Sequence, residues 1–136
     1  GIAVAAPDGL IVPVIPNTDT LSITDLAKSI HSLSMKAREQ KLRLEDVQNG
    51  TFTVNNTGAL GSETSFSIIN YPQAAIINTE AVLNKVVAQG NNFSVRSVMN
   101  LCLSFDHRII DGLEAGLFLR DLVHSLEEFD ITASIK

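Results

Sequence analysis

The sequence has no tryptophan, one tyrosine, one cysteine and four prolines in 136 residues. A single cysteine, Cys102, forms no internal disulfide, so no disulfide framework holds this chain, and a reducing compartment is expected. Positive charge is also scarce: 10 Lys and Arg stand against 15 Asp and Glu, a formal net charge of -5. That balance argues against non-specific nucleic-acid binding, which needs a basic face. No apolar run approaches the roughly 18 residues of a membrane span. The first residues, "GIAVAAPDG", lack the positive start of a signal peptide. The histidines His31, His107 and His124 show no ligand spacing with one another or with Cys102, so no metal site is expected.

What is present describes a globular chain. Hydrophobic residues make up 45% and charged residues 18%, and the length suits one domain rather than two. "GIAVAA" and "LIVPVIPN" read as extended segments joined by the turn residues of "PDG". In "SITDLAKSIHSLSMKAREQKL", apolar residues recur at threes and fours from Ile23 to Ala37, which predicts an amphipathic helix. Ser22 and Asp25 predict a capping box at its start. "LEDVQNG" predicts a short helical turn, and "TFTVNN" a strand followed by the loop "TGALGSETS". "FSIIN", "AAIINTEAV" and a long "FSVRSVMNLCLSF" are expected strands, with "QGNN" a hairpin turn between the last two. A second helix begins at Asp111, with an apolar stripe through Leu113, Leu117, Leu119 or the Arg120 stem, Val123 and Leu126. The element order implies mixed α/β layers with a mixed sheet. "GIAVA" reads as a strand already under way, so the expectation is that residues 1–136 are the C-terminal part of something longer.

The chemistry concentrates in "LSFDHRIIDG", where an apolar run ends and polar groups crowd in. His107 and Asp111 lie four apart. Three readings compete. Asp111 with Glu114 three residues on is the pattern of a helix cap. A metal site lacks its further ligands. A histidine held in one tautomer at a strand end is a general base, and a thiol is a fitting proton source for it. Gly112 beside Asp111 permits close backbone approach.

"LCLSFDHRIIDG" resembles the signature of the dihydrolipoyl acyltransferases, the core components of 2-oxo acid dehydrogenase complexes. "GIAVAAPDGLIVPVI", "KAREQKL", "FTVNNTGALGS" and "IINYPQAAI" resemble further blocks of that family, in its order. "FTVNNTG" and "NLCLS" are similar to the branched-chain type of Gram-positive bacteria. The resemblance implies a two-layer chloramphenicol acetyltransferase-like α/β domain with a mixed sheet and packed helices, here incomplete. Residues 1–136 would be the C-terminal part of the catalytic domain, with the lipoyl and peripheral-subunit-binding domains absent. Homotrimers would assemble into a cubic or icosahedral core. The 2-oxo acid dehydrogenase and dihydrolipoyl dehydrogenase components would attach through the missing domains.

The implied activity is acyl transfer between dihydrolipoamide and coenzyme A. Both, the first as a lipoyl-lysine, are substrates, and no cofactor is covalently bound. A branched-chain acyl group is favoured and acetyl is the alternative. His107 would be the base, Asp111 a supporting carboxylate, and Arg108 and Gly112 structural supports. The family carries Ser or Thr where this chain has Asn55, the implied oxyanion donor; Thr57 and Thr53 are the alternatives. The implied location is bacterial cytoplasm or mitochondrial matrix. A non-catalytic scaffold subunit and a stand-alone coenzyme A-dependent acetyltransferase are the rival readings. Retention of both His107 and Asp111 favours the enzyme, and the "KAREQKL" and "IINYPQAAI" blocks favour the complex component.

Overall fold

The computed structural model describes residues 1–130. Its central element is a three-stranded sheet in the order β3 (Thr53–Asn56), β4 (Ala75–Thr79), β7 (Leu101–Phe105). β3 runs parallel to β4, and β4 runs antiparallel to β7, so the sheet is mixed as the sequence implies. β4 is its most buried strand: Ala75, Ile76, Ile77 and Asn78 are all buried. A continuous apolar run of this kind suits a strand covered on both faces. The backbone before β1 (Val4–Ala6) adds to the β3 edge: Ala3 N–H donates to Val54 O at 3.1 Å, and Ile2 bridges Val54 in parallel. β1 then forms a small antiparallel hairpin with β2 (Gly9–Ile11).

α1 (Ile23–Arg38) packs on β1. Ser22 caps it by accepting from Asp25 N–H at 3.1 Å. The expected capping box is only half formed. Asp25 takes the Ser22 hydroxyl proton, at 2.7 Å, rather than the Ser22 backbone N–H. Asp is one methylene shorter than the Glu of a full box. α2 (Gly112–Glu127) packs on β7, with an edge-to-face contact between Phe118 and Phe52 at 5.9 Å. Its inward side is Ala115, Leu119 and Leu122. Leu113, Leu117, Val123 and Leu126 of the expected stripe stay exposed.

Two expected strands differ. "FSVRSVMNLCLSF" is not one strand but two, β6 (Asn92–Val98) and β7, broken at Met99–Asn100. β6 leaves the central sheet and pairs with β5 (Leu83–Gln89), joined by a Gly90–Asn91 turn. Gly90 has the positive φ, 60°, that a two-residue hairpin turn calls for. "LNKVVAQ" is thus a strand of its own, which its polar positions disguised. "FSIIN" belongs to no ladder. Ser65 and Ser67 are partly buried while Phe66 and Ile68 are 78% and 94% exposed. The alternation is real, but the hydroxyls face the protein and the apolar side chains face out.

A tight backbone contact locks the loop after β3 onto the end of β4. A Cβ built on Gly58 would lie 2.4 Å from the Glu80 carbonyl carbon and oxygen, where only backbone could yield. Gly58→Ala is expected to destabilise the protein by about 1–3 kcal/mol, the usual cost of overpacking. Thermal unfolding of the variant beside the parent measures it; an unchanged midpoint would show that the loop is not pinned here.

Candidate active site

β7 ends at Phe105, and the signature "DHRIIDG" is the turn that carries the chain into α2. Asp106 N–H donates to Ala74 O at 2.8 Å, the last backbone bond to β4. Ile109 and Ile110 N–H both donate to Asp106 O, at 3.1 and 3.0 Å, which coils the segment. Arg108 folds back on Asp106: its Nε donates to Oδ1 at 2.9 Å and its Nη2 to Oδ2 at 2.6 Å. Arg108 backbone N–H also donates to Oδ1, at 3.0 Å. Arg108, expected as a structural support, thus braces its own turn. The hydrogen bonds from the Arg108 side chain and backbone hold the Asp106 carboxyl down to about 2.

Asp111 caps α2. Its Oδ1 accepts from Glu114 N–H at 2.9 Å, and Glu114 Oε2 accepts from Asp111 N–H at 3.2 Å. Both arms of the capping box are made, which commits this carboxylate to the helix start. Gly112 begins the helix with open space where a Cβ would sit. His107 is exposed on the turn between these anchored ends, and its ring packs against Phe105 with centroids 5.5 Å apart. No hydrogen bond to the His107 ring is found among the described residues. Nothing among the described residues thus holds the ring in the one tautomer expected of it.

Asn55 lies elsewhere. It pairs with Asn78 across the sheet, and Asn78 pairs with Cys102. Cys102 is three residues before Phe105 on β7, roughly 10 Å at about 3.3 Å per residue. His107 is two residues further still. One chain does not bring Asn55 and His107 to the same atom.

The three candidate donors differ in what they have left to give. Thr53 is 0% exposed and donates to Gln73 Oε1 at 2.5 Å. Thr57 donates to Glu80 Oε2 at 2.7 Å. Asn55 Nδ2 faces Ser67 Oγ at 3.0 Å and Asn78 Oδ1 at 3.2 Å. Those two oxygens are only 2.7 Å apart. Ser67 itself donates to Asn78 Oδ1, so Asn55 can redirect one of its two N–H bonds to another acceptor while that oxygen keeps a donor.

Sequence reasoning missed the groups beneath Asn55. Glu80 is 3% exposed and Asn78 1%. Glu80 Oε1 accepts from Ser65 N–H at 2.9 Å and Ser65 Oγ at 2.6 Å. Burial pushes the Glu80 carboxyl up, but hydrogen bonds from Ser65, Thr57 and Ser62 outweigh it and hold the group below its usual value. A lone acidic residue ending the apolar run "AAIINTE", after a serine-rich loop, was the available signal. No cluster of three or more His, Cys, Asp or Glu suited to a metal ion occurs among the described residues. No helix among them is long and apolar enough to cross a membrane.

The Asp106 clamp sets a pH dependence. Its carboxyl titrates near 2 when folded, against an ordinary 3.8. A depressed carboxylate stabilises the fold fully above the ordinary value, and that contribution fades as pH falls through the folded one. The stability difference between parent and Asp106→Asn is therefore expected to shrink as pH falls from about 4 to about 2. Denaturant unfolding at several pH values measures the gap; a constant gap would mean that the clamp carries none of it.

Comparison with known proteins fits this architecture. The family model of the 2-oxoacid dehydrogenases acyltransferase (catalytic domain) matches residues 1–133. The lipoamide acyltransferase component of the branched-chain alpha-keto acid dehydrogenase complex of Bacillus subtilis is 50% identical over 135 residues, 98% of this chain and 32% of its own length. Two solved structures each superpose with a TM-score of 0.91 at 38% identity, covering 94% of this chain and 53% of theirs. One is the dihydrolipoamide acetyltransferase of Azotobacter vinelandii, from an investigation of a serine, a histidine and an asparagine in its catalytic mechanism; these stand 52 and 4 residues apart. The other is the cubic core of the pyruvate dehydrogenase multienzyme complex. The matches include bacterial and mitochondrial components. The chain spans about a third of the length of the Bacillus relative and about half of the solved chains. With residues 1–133 matched by the catalytic-domain family model and the signature turn in place, this chain belongs to the acyltransferase family of the 2-oxoacid dehydrogenases and has the chloramphenicol acetyltransferase-like fold.

Proposed function

We propose that this chain transfers an acyl group between dihydrolipoamide and coenzyme A, at a site shared by two copies of the chain. The observation that carries this is the placement of two groups. His107 stands exposed at one end of the sheet, and Asn55, several strand residues away, carries an amide N–H that it can redirect. Such groups act on one carbonyl when one copy supplies the base and the next supplies the donor. The spacing agrees: 52 residues separate Asn55 from His107, and 4 separate His107 from Asp111, as in the Azotobacter trio. On that spacing the serine and asparagine of that protein would correspond to Asn55 and Asp111.

In the reaction, His107 takes the proton from the attacking thiol. The thiolate adds to the thioester carbonyl, and the carbonyl oxygen becomes an oxyanion. Asn55 turns one amide N–H to that oxyanion, a donor of the kind that stabilises acyl-transfer transition states most. The intermediate collapses, the carbon–sulfur bond to the first thiol breaks, and the departing sulfur takes the proton from His107. Asp111 and Arg108 hold the turn on which His107 sits. Coenzyme A and the lipoyl-lysine of a lipoyl domain are the two thiol carriers.

The assembly follows from the same reading. Phe66, Ile68, Tyr71, Val86, Phe93 and Val95 are all exposed. Apolar surface on this scale marks faces that other protein covers. Trimers of the catalytic domain, joined into a hollow cubic or icosahedral core, would cover it. The complex's dehydrogenase components attach through segments outside these residues, in the cytoplasm of a bacterium or the matrix of a mitochondrion. A branched-chain acyl group is favoured by the Bacillus relative, and acetyl is the alternative. Comparing coenzyme A-dependent transfer with isobutyryl, acetyl and succinyl donors decides it, and no transfer from any of them would sink the proposal.

His107→Ala is expected to lower kcat by roughly 10²–10⁴, the worth of a general base. Full activity in an assembled variant would require another base. Asn55→Ala is expected to lower kcat by roughly 10²–10³ with KM nearly unchanged, since the donor serves the transition state. Asn55→Ser should regain part of the loss. Thr57→Val is the control: a kcat loss there, with none in Asn55→Ala, would make Thr57 the donor.

A further inference from the structure

We infer that Glu80 is a positioning residue for acyl transfer: through Ser65 and Asn78 it decides which end of the Asn55 amide faces the substrate. This rests on the role proposed above for Asn55. Glu80 is nearly sealed from solvent, makes no ion pair among the described residues, and has no part in the proton transfers.

Its effect follows from donors and acceptors taken in order. An ionised carboxylate only accepts. Ser65 Oγ therefore spends its single proton on Glu80 Oε1, at 2.6 Å. The same oxygen must then accept from Asn78, whose Nδ2 stands 3.0 Å away. Asn78 Nδ2 also reaches Ser65 O at 3.0 Å, and a backbone carbonyl likewise only accepts. Both contacts point the Asn78 NH₂ at Ser65, which turns its Oδ1 toward β3. There Oδ1 receives Ser67 Oγ at 2.7 Å and Asn55 Nδ2 at 3.2 Å. Asn55 thus presents nitrogen at that contact. A flipped Asn55 would set two amide oxygens against each other and offer an oxyanion the wrong pole of the amide.

The carboxylate also holds the frame of this chain of bonds. Ser65 backbone N–H donates to Oε1 at 2.9 Å, and Ala81 N–H donates to Ser62 O at 2.7 Å. Gly58 lies flat on the Glu80 backbone. The serine segment is therefore clipped over β3 and β4 at one buried anionic point. Glutamine at this position keeps the shape but puts a donor where an acceptor was. At least one of Ser65 and Thr57 then has to turn its hydroxyl round.

The test uses Glu80→Gln in the intact, assembled acyltransferase, alone and combined with Asn55→Ala. Glu80→Gln is expected to lower kcat roughly tenfold, with KM for coenzyme A and dihydrolipoamide within about twofold. In the Asn55→Ala background the same change should cost less than about twofold, because a residue acting through Asn55 has nothing left to position. An unchanged kcat in Glu80→Gln overturns the inference, and so does an undiminished tenfold loss in the double variant. Should Glu80→Gln fail to assemble, Ser65→Ala takes its place: it removes the hydroxyl link and keeps the backbone bond. The two failures read differently. A full-rate Asn55→Ala sinks the donor role itself and this inference with it. An impaired Asn55→Ala whose loss adds to that of Glu80→Gln sinks only the link.

Discussion

A buried carboxylate with no ion-pair partner among the described residues is the constraint around which this half of the fold is arranged. Desolvating such a charge costs several kcal/mol unless hydrogen bonds replace the lost water. Glu80 meets that need with hydroxyls and a backbone N–H, all drawn from the segment between β3 and β4. The segment cannot lie as a ladder strand, because its polar groups already serve Glu80 and Asn78. Its apolar side chains are turned outward as a result, and Asn78 is left with one permitted orientation. Local secondary structure here is decided by side-chain electrostatics rather than by propensity.

The second organising fact is how little apolar surface the chain encloses. Among the described residues the buried hydrophobic ones are Val4, Ala37, Ala75, Ile76, Ile77 and Ala115, three of them alanines. α1 leaves Ile23 and Ile30 exposed, and α2 leaves most of its expected stripe exposed. Both helices are amphipathic, yet each covers only a narrow strip of sheet or hairpin. A shell of this kind gains its stability at contacts with other protein. It also keeps edges and apolar faces open until those contacts form, which favours association over an independent monomer.

Much of this was legible in the sequence where local rules act alone. The helices, their caps, the β5–β6 turn and the end of β7 follow from periodicity, N-cap chemistry and glycine. The site turn was legible because its residues are contiguous from Asp106 to Gly112. Reading failed where the decision was made at a distance. Met99–Asn100 looks like the middle of a strand, yet Asn100 Nδ2 donates to Glu63 O at 2.8 Å and its carbonyl accepts from Glu80 N–H at 3.2 Å. Those bonds end β6 and redirect the chain into the central sheet. "FSIIN" has the right period with the faces exchanged, which no alternation count detects. The Asn78 network was invisible because its members are spread from residue 55 to residue 80 and meet only across β3 and β4.

The distance between Asn55 and His107 along the sheet also has a genetic consequence. When two chains complete each reaction centre, a gene product is judged by its neighbours as well as by itself. A copy lacking the base still lends its amide to the next copy, and a copy lacking the amide still lends its base. Two alleles, each dead alone, would complement when expressed together, because mixed trimers of the proposed kind would contain junctions where both intact halves face one another. A diploid or plasmid-bearing cell would then show partial activity from two null parents, an inheritance pattern that a site contained within one chain does not produce.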